Sequence, residues 1–115
     1  MSRPKLHIKL LSILCLTALG WGCSGLPSFP TVEQLSVADR LPTGADPAQI
    51  TRGRNLLMTS CDRCHRNYRP AEYAPAKWSD IVKRMSKRSQ LDAKEAEAVA
   101  RYAELVSHWL RESAT

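Results

Sequence analysis

Hydrophobic residues recur at helical spacing along most of this chain of 115 residues, and no segment alternates polar and apolar positions as a strand does. Apolar side chains at i, i+3, i+4 and i+7 lie on one face of a helix. This pattern predicts a first helix from residue 47 to about residue 59, with one face formed by Ile50, Gly53, Leu56 and Leu57. Asp46 and Pro47 suit the N-cap and the first helical position, and Gln49 would complete a capping box.

Two further helices follow from the same pattern. Pro75 opens one of them, and its apolar face consists of Trp78, Ile81, Val82 and Met85. Asp92 and Glu95 form a capping box before a long last helix that ends near Arg111. The apolar stripe of that helix consists of Ala96, Val99, Tyr102, Ala103, Val106 and Leu110. We therefore predict an all-α domain over residues 46–115.

The first 22 residues have the composition of a secretory signal peptide. Residues 1–9 contain three Lys and Arg and no acid, and an apolar run follows over residues 10–19. This run is shorter than the ~20 apolar residues of a membrane-spanning helix, although an uncleaved N-terminal anchor is the alternative. We expect export across the cytoplasmic membrane, and for residues 23–45, which are rich in Pro and Gly, an extended leader or tether.

Cys23 lies at the end of the predicted signal peptide, after the small residue Gly22. This arrangement resembles a bacterial lipoprotein signal, in which such a cysteine becomes the lipidated first residue. Gly20 stands where these signals usually carry Leu. A lipid on Cys23 would hold the protein at the periplasmic side of a bacterial membrane. The alternative is ordinary cleavage nearby, without lipid.

The run Cys61-Asp62-Arg63-Cys64-His65 carries the most specific chemistry in the chain. C-x-x-C-H is the attachment motif of c-type haem: the two thiols bond to the vinyl groups, and the adjacent imidazole is an axial ligand of the iron. We therefore expect one covalent haem c on Cys61 and Cys64, with His65 as the proximal ligand.

Three other uses of the same cysteines remain open from sequence. A zinc site needs four ligands, and no second Cys or His pair at suitable spacing is present. A thioredoxin-like dithiol would accompany a βαβ pattern, which the chain lacks. A structural disulfide between Cys61 and Cys64 would close a very short loop, contribute little chain entropy and leave His65 unexplained.

The second axial ligand decides between an electron carrier and a reactive iron. Met85 is the preferred candidate, because it ends an apolar helix face and is followed by a polar connector. A methionine at this spacing is also an ordinary core residue. Met58 and His108 are weaker candidates, and an open or water-bound position is the remaining alternative.

Lys and Arg outnumber Asp and Glu by 17 to 11 in the whole chain. Between residues 50 and 90, ten basic side chains accompany only three acidic ones, and they flank the C-x-x-C-H motif. Such a patch favours a redox partner protein with an acidic docking surface, or anionic lipid. The export signal and the lack of a recognition motif argue against nucleic acid.

The residues above resemble a small monohaem class I cytochrome c over residues 46–106. The similar residues are Gly53, Leu56, Leu57, the C-x-x-C-H motif, Trp78, Ile81, Met85, Val99 and Tyr102. The resemblance implies that the first and last helices cross closely where Gly53 meets Tyr102. It also implies iron ligation by His65 and Met85, and a carbonyl of Pro70 or Pro75 that orients His65. Arg66 stands where the family usually has Gly.

The function implied is single-electron transfer outside the cytoplasm, without catalysis of its own. Two alternatives stay open: a haem-based binder or sensor of a small gas, and an electron-entry subunit fixed to a larger oxidoreductase. The first requires either that Met85 does not bind the iron or that a gas molecule easily displaces it. The second would make the basic patch a permanent interface.

Overall fold

The computed structural model describes residues 27–115. The predicted signal peptide and Cys23 lie outside these residues. Four α-helices follow in order, α1 (Val32–Val37), α2 (Pro47–Ser60), α3 (Pro75–Ser86) and α4 (Ala93–Glu112), with short 3₁₀ helices at Cys61–Arg63 and Pro70–Glu72. Residues 27–115 contain no β-strand, so the all-α prediction is confirmed. None of the helices in this part of the chain has the length and apolar character needed to cross a membrane.

The helix boundaries follow their local capping signals. Asp92 and Glu95 form the predicted capping box at the start of α4. At the start of α2, the Asp46 carboxylate instead accepts a hydrogen bond from the Ala48 N–H at 2.9 Å. The reciprocal box with Gln49 is therefore not formed, although the predicted start of the helix is correct.

The core lies where α2 and α3 pack on opposite parts of α4. Most of the predicted apolar faces point into it. Its buried members are Leu35, Ile50, Leu57, Trp78, Val82, Val99, Tyr102, Ala103, Val106 and Trp109. Burial of apolar surface on this scale, at about 25 cal/mol per Å², is the main stabilising contribution in a domain this small.

Helices α2 and α4 cross at Gly53, with their backbones almost in contact. A Cβ atom at Gly53 would overlap the Ala98 carbonyl oxygen, would lie 2.6 Å from the Ala98 carbonyl carbon, and would lie 2.9 Å from Tyr102 Cβ. Only glycine permits this separation. The expected approach of Tyr102 to Gly53 is present in the structure.

Residues 27–45 differ from the extended leader that the sequence predicted. They contain α1, and Leu35 of that helix is fully buried in the core. The Tyr102 hydroxyl donates a hydrogen bond to the Pro30 carbonyl at 2.9 Å, and Arg54 Nε donates to the Phe29 carbonyl at 3.0 Å. Burial raises the pKa of Tyr102 well above its usual range, which keeps the hydroxyl protonated as a donor. This segment is therefore part of the folded domain.

Replacement of Gly53 by alanine tests the helix crossing. Alanine is the better helix former by about 1 kcal/mol, but its methyl group would force α2 and α4 apart. We expect Gly53→Ala to lower the free energy of unfolding by about 1–3 kcal/mol, as overpacked cores do, measured by urea denaturation. Asn55→Ala, on the exposed side of α2, is the control. Unchanged or increased stability of Gly53→Ala would contradict the close crossing.

The contact between Tyr102 and Pro30 gives a second stability prediction. Tyr102→Phe keeps the ring and leaves the buried Pro30 carbonyl without its hydroxyl donor. We expect a loss of about 1–3 kcal/mol in the free energy of unfolding, the usual cost of an unsatisfied buried polar group. Tyr73→Phe is the control, because its ring is only half-buried and its hydroxyl has no partner of this kind. Equal free energies of unfolding for Tyr102→Phe and Tyr73→Phe would mean that residues 27–31 do not unfold together with the rest of the domain.

Candidate functional site

The C-x-x-C-H motif begins where α2 ends. Helix α2 stops at Ser60, and the next three residues tighten into the 3₁₀ helix Cys61–Arg63, after which Cys64 is the C-cap residue. Side chains three residues apart lie on the same side of a 3₁₀ helix. Both cysteines carry free thiols. Cys61 is half-buried, which raises the pKa of its thiol, whereas Cys64 is exposed.

A single cleft brings together three of the predicted site residues, Cys61, His65 and Met85. Its cavity measures about 40 Å³, and the space between its walls out to the open mouth is about 470 Å³. The remaining lining is mostly apolar and comes from α2, α3, α4 and the loops between them: Leu57, Asn67, Tyr68, Trp78, Ile81, Val82, Ser86, Ser89, Leu91 and Val99.

The other predicted candidates lie elsewhere. Cys64 does not line the cleft, although it is one turn from Cys61. Met58 is exposed on α2, and His108 is exposed on α4 with its Nδ1 atom 3.2 Å from Glu112 Oε2. Met58 and His108 are both absent from the lining of the cleft, so of the three alternatives for a second axial donor only Met85 is placed with His65.

The His65 ring has one nitrogen committed to a hydrogen bond. Its Nδ1 atom lies 2.8 Å from the backbone carbonyl oxygen of Arg66. Because a carbonyl oxygen only accepts, Nδ1 carries the proton, and neutral imidazole then keeps its lone pair on Nε2. A histidine that binds a metal through Nε2 usually has its lone pair on that atom and donates a hydrogen bond from Nδ1–H to a carbonyl or carboxylate.

The carbonyl that accepts from His65 is not the one that the family resemblance suggested. The Pro70 carbonyl accepts a hydrogen bond from Trp78 Nε1 at 3.0 Å, and no bond joins Pro75 to His65 among the described residues. Trp78 is buried, and a buried indole N–H requires an acceptor, which the Pro70 carbonyl supplies. The Arg66 carbonyl is next to His65 in the chain and takes the role instead.

Asn67 contributes a polar atom that lacks a partner. Its Oδ1 atom is buried, makes no hydrogen bond in the structure, and belongs to a residue that lines the cleft. Buried polar side-chain atoms are rarely left unsatisfied in native proteins. An unsatisfied atom in the wall of the cleft therefore fits a site built to receive a further group.

The aromatic rings of Tyr68 and Trp78 line the cleft, and the ring of Tyr73 connects them. The ring of Tyr68 is 5.3 Å from that of His65 and 5.7 Å from that of Tyr73, and Tyr73 is 5.6 Å from Trp78, measured between centroids. The Tyr73–Trp78 and Tyr68–Tyr73 pairs are edge-to-face, an arrangement that adds about 0.5–1.5 kcal/mol beyond burial. These rings give an irregular part of the backbone a rigid apolar surface.

An ion-pair network surrounds the loop after His65. Glu72 accepts two hydrogen bonds from the Arg66 guanidinium, at 3.1 and 2.8 Å, and one from the Arg69 backbone N–H at 2.9 Å. The bonds from Arg66 first, and then the Arg69 N–H, lower the pKa of Glu72 to about 2. Glu72 is therefore ionised at neutral pH.

Most of the basic side chains in residues 50–90 are exposed. The exposed ones without a carboxylate partner in the described part of the chain are Arg63, Lys77, Lys83, Arg84, Lys87 and Arg88. Lys83, Arg84 and Lys87 alternate along the chain with Met85 and Ser86, which line the cleft. Positive charge is therefore concentrated at the C-terminal end of α3, next in sequence to two residues of the cleft lining.

The donors and walls of the cleft fit a haem better than a zinc ion. An imidazole nitrogen, a thioether and an apolar lining are the environment of a low-spin haem iron. Within residues 27–115 no three His, Cys, Asp or Glu side chains come together as they would around zinc. Sequence reasoning missed Asn67 as a lining residue, because the segment after His65 has no hydrophobic period that would assign its side chains to a face.

No protein-family model, no curated protein and no solved structure matches this chain.

The depressed pKa of Glu72 predicts a pH-dependent contribution to stability. Unfolding returns Glu72 to its usual pKa of 4.5, so the unfolded chain binds the proton more readily. The stabilisation is complete above pH 4.5 and is lost as the pH falls towards 2. We expect the urea midpoint of the wild type to exceed that of Glu72→Gln at pH 7, and the difference to shrink by pH 3.

Glu97→Gln is the control for this measurement, because Glu97 is an exposed carboxylate without an ion pair in the described residues. Its midpoint relative to the wild type should change little between pH 7 and pH 3. A difference between the wild type and Glu72→Gln that is constant over this range would exclude the ion pairs of Glu72 as its source.

Proposed function

We propose that this protein is an exported monohaem cytochrome c, with a cytochrome c-like fold, that carries single electrons. The observation that carries the proposal is the position of Cys61, His65 and Met85 around one apolar cleft. The first two belong to a motif whose spacing suits covalent haem, and the third comes from a different helix. The close crossing of α2 and α4 at Gly53 supports the fold.

In this proposal each residue has a separate task. Cys61 and Cys64 would hold the haem covalently, and His65 Nε2 and the Met85 thioether sulfur would bind its iron. A bound haem c would supply a one-electron couple at its iron. The apolar walls from Trp78, Val82 and the other lining residues exclude water, which together with a methionine ligand raises the reduction potential.

Occupation of both axial positions by protein side chains favours transfer over catalysis. A carrier needs an iron whose ligands stay the same in both oxidation states, whereas an enzyme or a gas sensor needs a free position. The lining of the cleft includes one residue with a nitrogen donor, His65, and one with a sulfur donor, Met85. We therefore propose no enzymatic activity for this chain.

The exposed basic side chains around the cleft support a redox partner protein with an acidic docking surface. Lys83, Arg84 and Lys87 lie beside the cleft-lining residues of α3, where an electron would leave or enter. Complementary charge accelerates encounter and weakens with salt. A transient complex of this kind should dissociate at high ionic strength, whereas a permanent subunit of a larger oxidoreductase should not.

We also propose lipidation of Cys23 on the periplasmic side of a bacterial membrane. The folded domain begins near Phe29 and Pro30, whose carbonyls accept hydrogen bonds from Arg54 and Tyr102. Residues 24–28 are then the only link to the lipid. At about 3.5 Å per residue they reach no further than about 18 Å. This anchor would keep the haem domain close to the membrane surface, within reach of a membrane-bound partner.

Replacement of Met85 tests the proposed ligation. In the full chain matured with haem, Met85→Ala should remove the thioether–iron absorption band of the oxidised protein, yield a high-spin signal in magnetic circular dichroism, and lower the reduction potential. The apolar cleft would then also admit carbon monoxide to the reduced iron much faster than in the wild type.

Met58→Ala is the matched control, since Met58 is exposed and lies outside the cleft. Its spectra and potential should equal those of the wild type. A high-spin wild type that already binds carbon monoxide rapidly would instead support the gas-binding alternative. Absence of covalent haem from the matured chain would overturn the proposed function altogether.

A further inference from the structure

We infer that Arg66 and Glu72 are positioning residues that hold the hydrogen-bond acceptor of His65 in place and thereby lower the reduction potential. This inference rests on the proposed role of His65 as a haem ligand. It concerns the contacts between Arg66, Glu72, Tyr68 and Arg69, which we call the Arg66–Glu72 clamp.

The inference begins from the bond between His65 Nδ1 and the Arg66 carbonyl, 2.8 Å long. Residues 65–69 belong to no helix, so no backbone hydrogen-bond ladder fixes the direction of this carbonyl. Rotation of one peptide plane would turn it away from the imidazole. Some other set of contacts must hold the backbone of Arg66 in position.

The Arg66 side chain provides those contacts. Its guanidinium donates two hydrogen bonds to Glu72 and lies 4.4 Å above the centre of the Tyr68 ring. A planar guanidinium with a bidentate carboxylate on one side and an aromatic face on another has few alternative positions. The Arg66 side chain is therefore fixed along its length, and its own carbonyl with it.

Glu72 is in turn anchored to the body of the protein. Its carboxylate accepts a hydrogen bond from the Arg69 backbone N–H at 2.9 Å. Glu72 is also the last residue of the 3₁₀ helix Pro70–Glu72, which packs on α4. The Pro70 carbonyl is bonded to the buried Trp78. A continuous set of contacts thus connects α3 and α4 with the carbonyl that faces His65.

An exposed ion pair contributes little to stability, usually 0–1 kcal/mol. The clamp would therefore matter for geometry more than for folding. A carbonyl that accepts a hydrogen bond from Nδ1–H makes the imidazole more basic, and a more basic ligand favours ferric over ferrous iron. Loss of the clamp should weaken this bond and raise the reduction potential.

The chain offers a closely matched control for Glu72, which is Glu95. Each carboxylate has one close Arg partner, at 2.8 Å for Glu72 and 2.7 Å for Glu95, and Glu72 also has Arg69 at 3.5 Å. Each also accepts the N–H of the residue three positions earlier, and each side chain is 21% exposed. Glu95 pairs with Arg52, and neither residue touches the loop after His65.

The first experiment measures the reduction potentials of haem-loaded Glu72→Ala and Glu95→Ala in the full chain. We expect the preference of Glu72→Ala for ferric over ferrous iron to fall about tenfold, which raises the reduction potential by about 59 mV for one electron. The potential of Glu95→Ala should equal that of the wild type. The conservative variant Glu72→Gln should lie between. Equal potentials for Glu72→Ala and Glu95→Ala would overturn the inference.

Arg66→Gln and Arg69→Gln form a second matched pair. Each removes one positive charge beside Glu72, but the Arg69 side chain approaches Glu72 only to 3.5 Å, and it is Arg66 whose guanidinium lies over the Tyr68 ring. We expect a raised potential in Arg66→Gln alone. A similar shift in both variants would assign the effect to charge and not to the position of the carbonyl.

A readout without haem separates this inference from the proposed function. Nitrogen NMR of His65 in the haem-free chain reports which ring nitrogen carries the proton. The wild type and Glu95→Ala should show the Nδ1-protonated form, and Glu72→Ala a mixture of both forms. The same mixture in the wild type would contradict the clamp, whereas absence of covalent haem with the expected NMR result would contradict only the proposed function.

Discussion

The contact of Gly53 with the backbone of Ala98 sets the geometry on which the rest of the domain depends. Two helices that approach this closely cannot slide past each other without overlap between the Gly53 backbone and the Ala98 carbonyl. The crossing therefore fixes where α2 ends, and hence where Cys61 lies relative to α4. Leu57, one turn after Gly53, and Val99, the residue after Ala98, both contribute to the lining of the cleft.

The segment between Cys64 and Pro75 keeps an irregular path because core side chains satisfy its carbonyl groups. Trp78 donates to the Pro70 carbonyl and Ser107 donates to the Tyr73 carbonyl. Both donors are buried on helices that pack against each other. A loop held in this way can present His65 to the cleft without a regular backbone ladder, because these two carbonyl groups are still paired.

Helix positions and the motif could be predicted from sequence, because each depends on residues a few positions apart. The N-caps at Asp46 and Asp92 and the face from Trp78 to Met85 are examples of such local signals. The packed state of residues 27–45 could not be predicted in this way, because the bond from Tyr102 to Pro30 joins residues 72 positions apart. The partner of His65 was also missed, since a backbone carbonyl has no sequence signature.

The apolar cleft links the stability of the domain to the group that fills it. Trp78, Val82 and Leu57 are buried, yet the same side chains form walls of a space that opens to solvent. A ligand that covers such walls and binds only the folded state stabilises that state by mass action. A covalently attached haem would add this stabilisation permanently, which a domain with one small core requires more than a larger one. The same cleft would thus serve both folding and electron transfer.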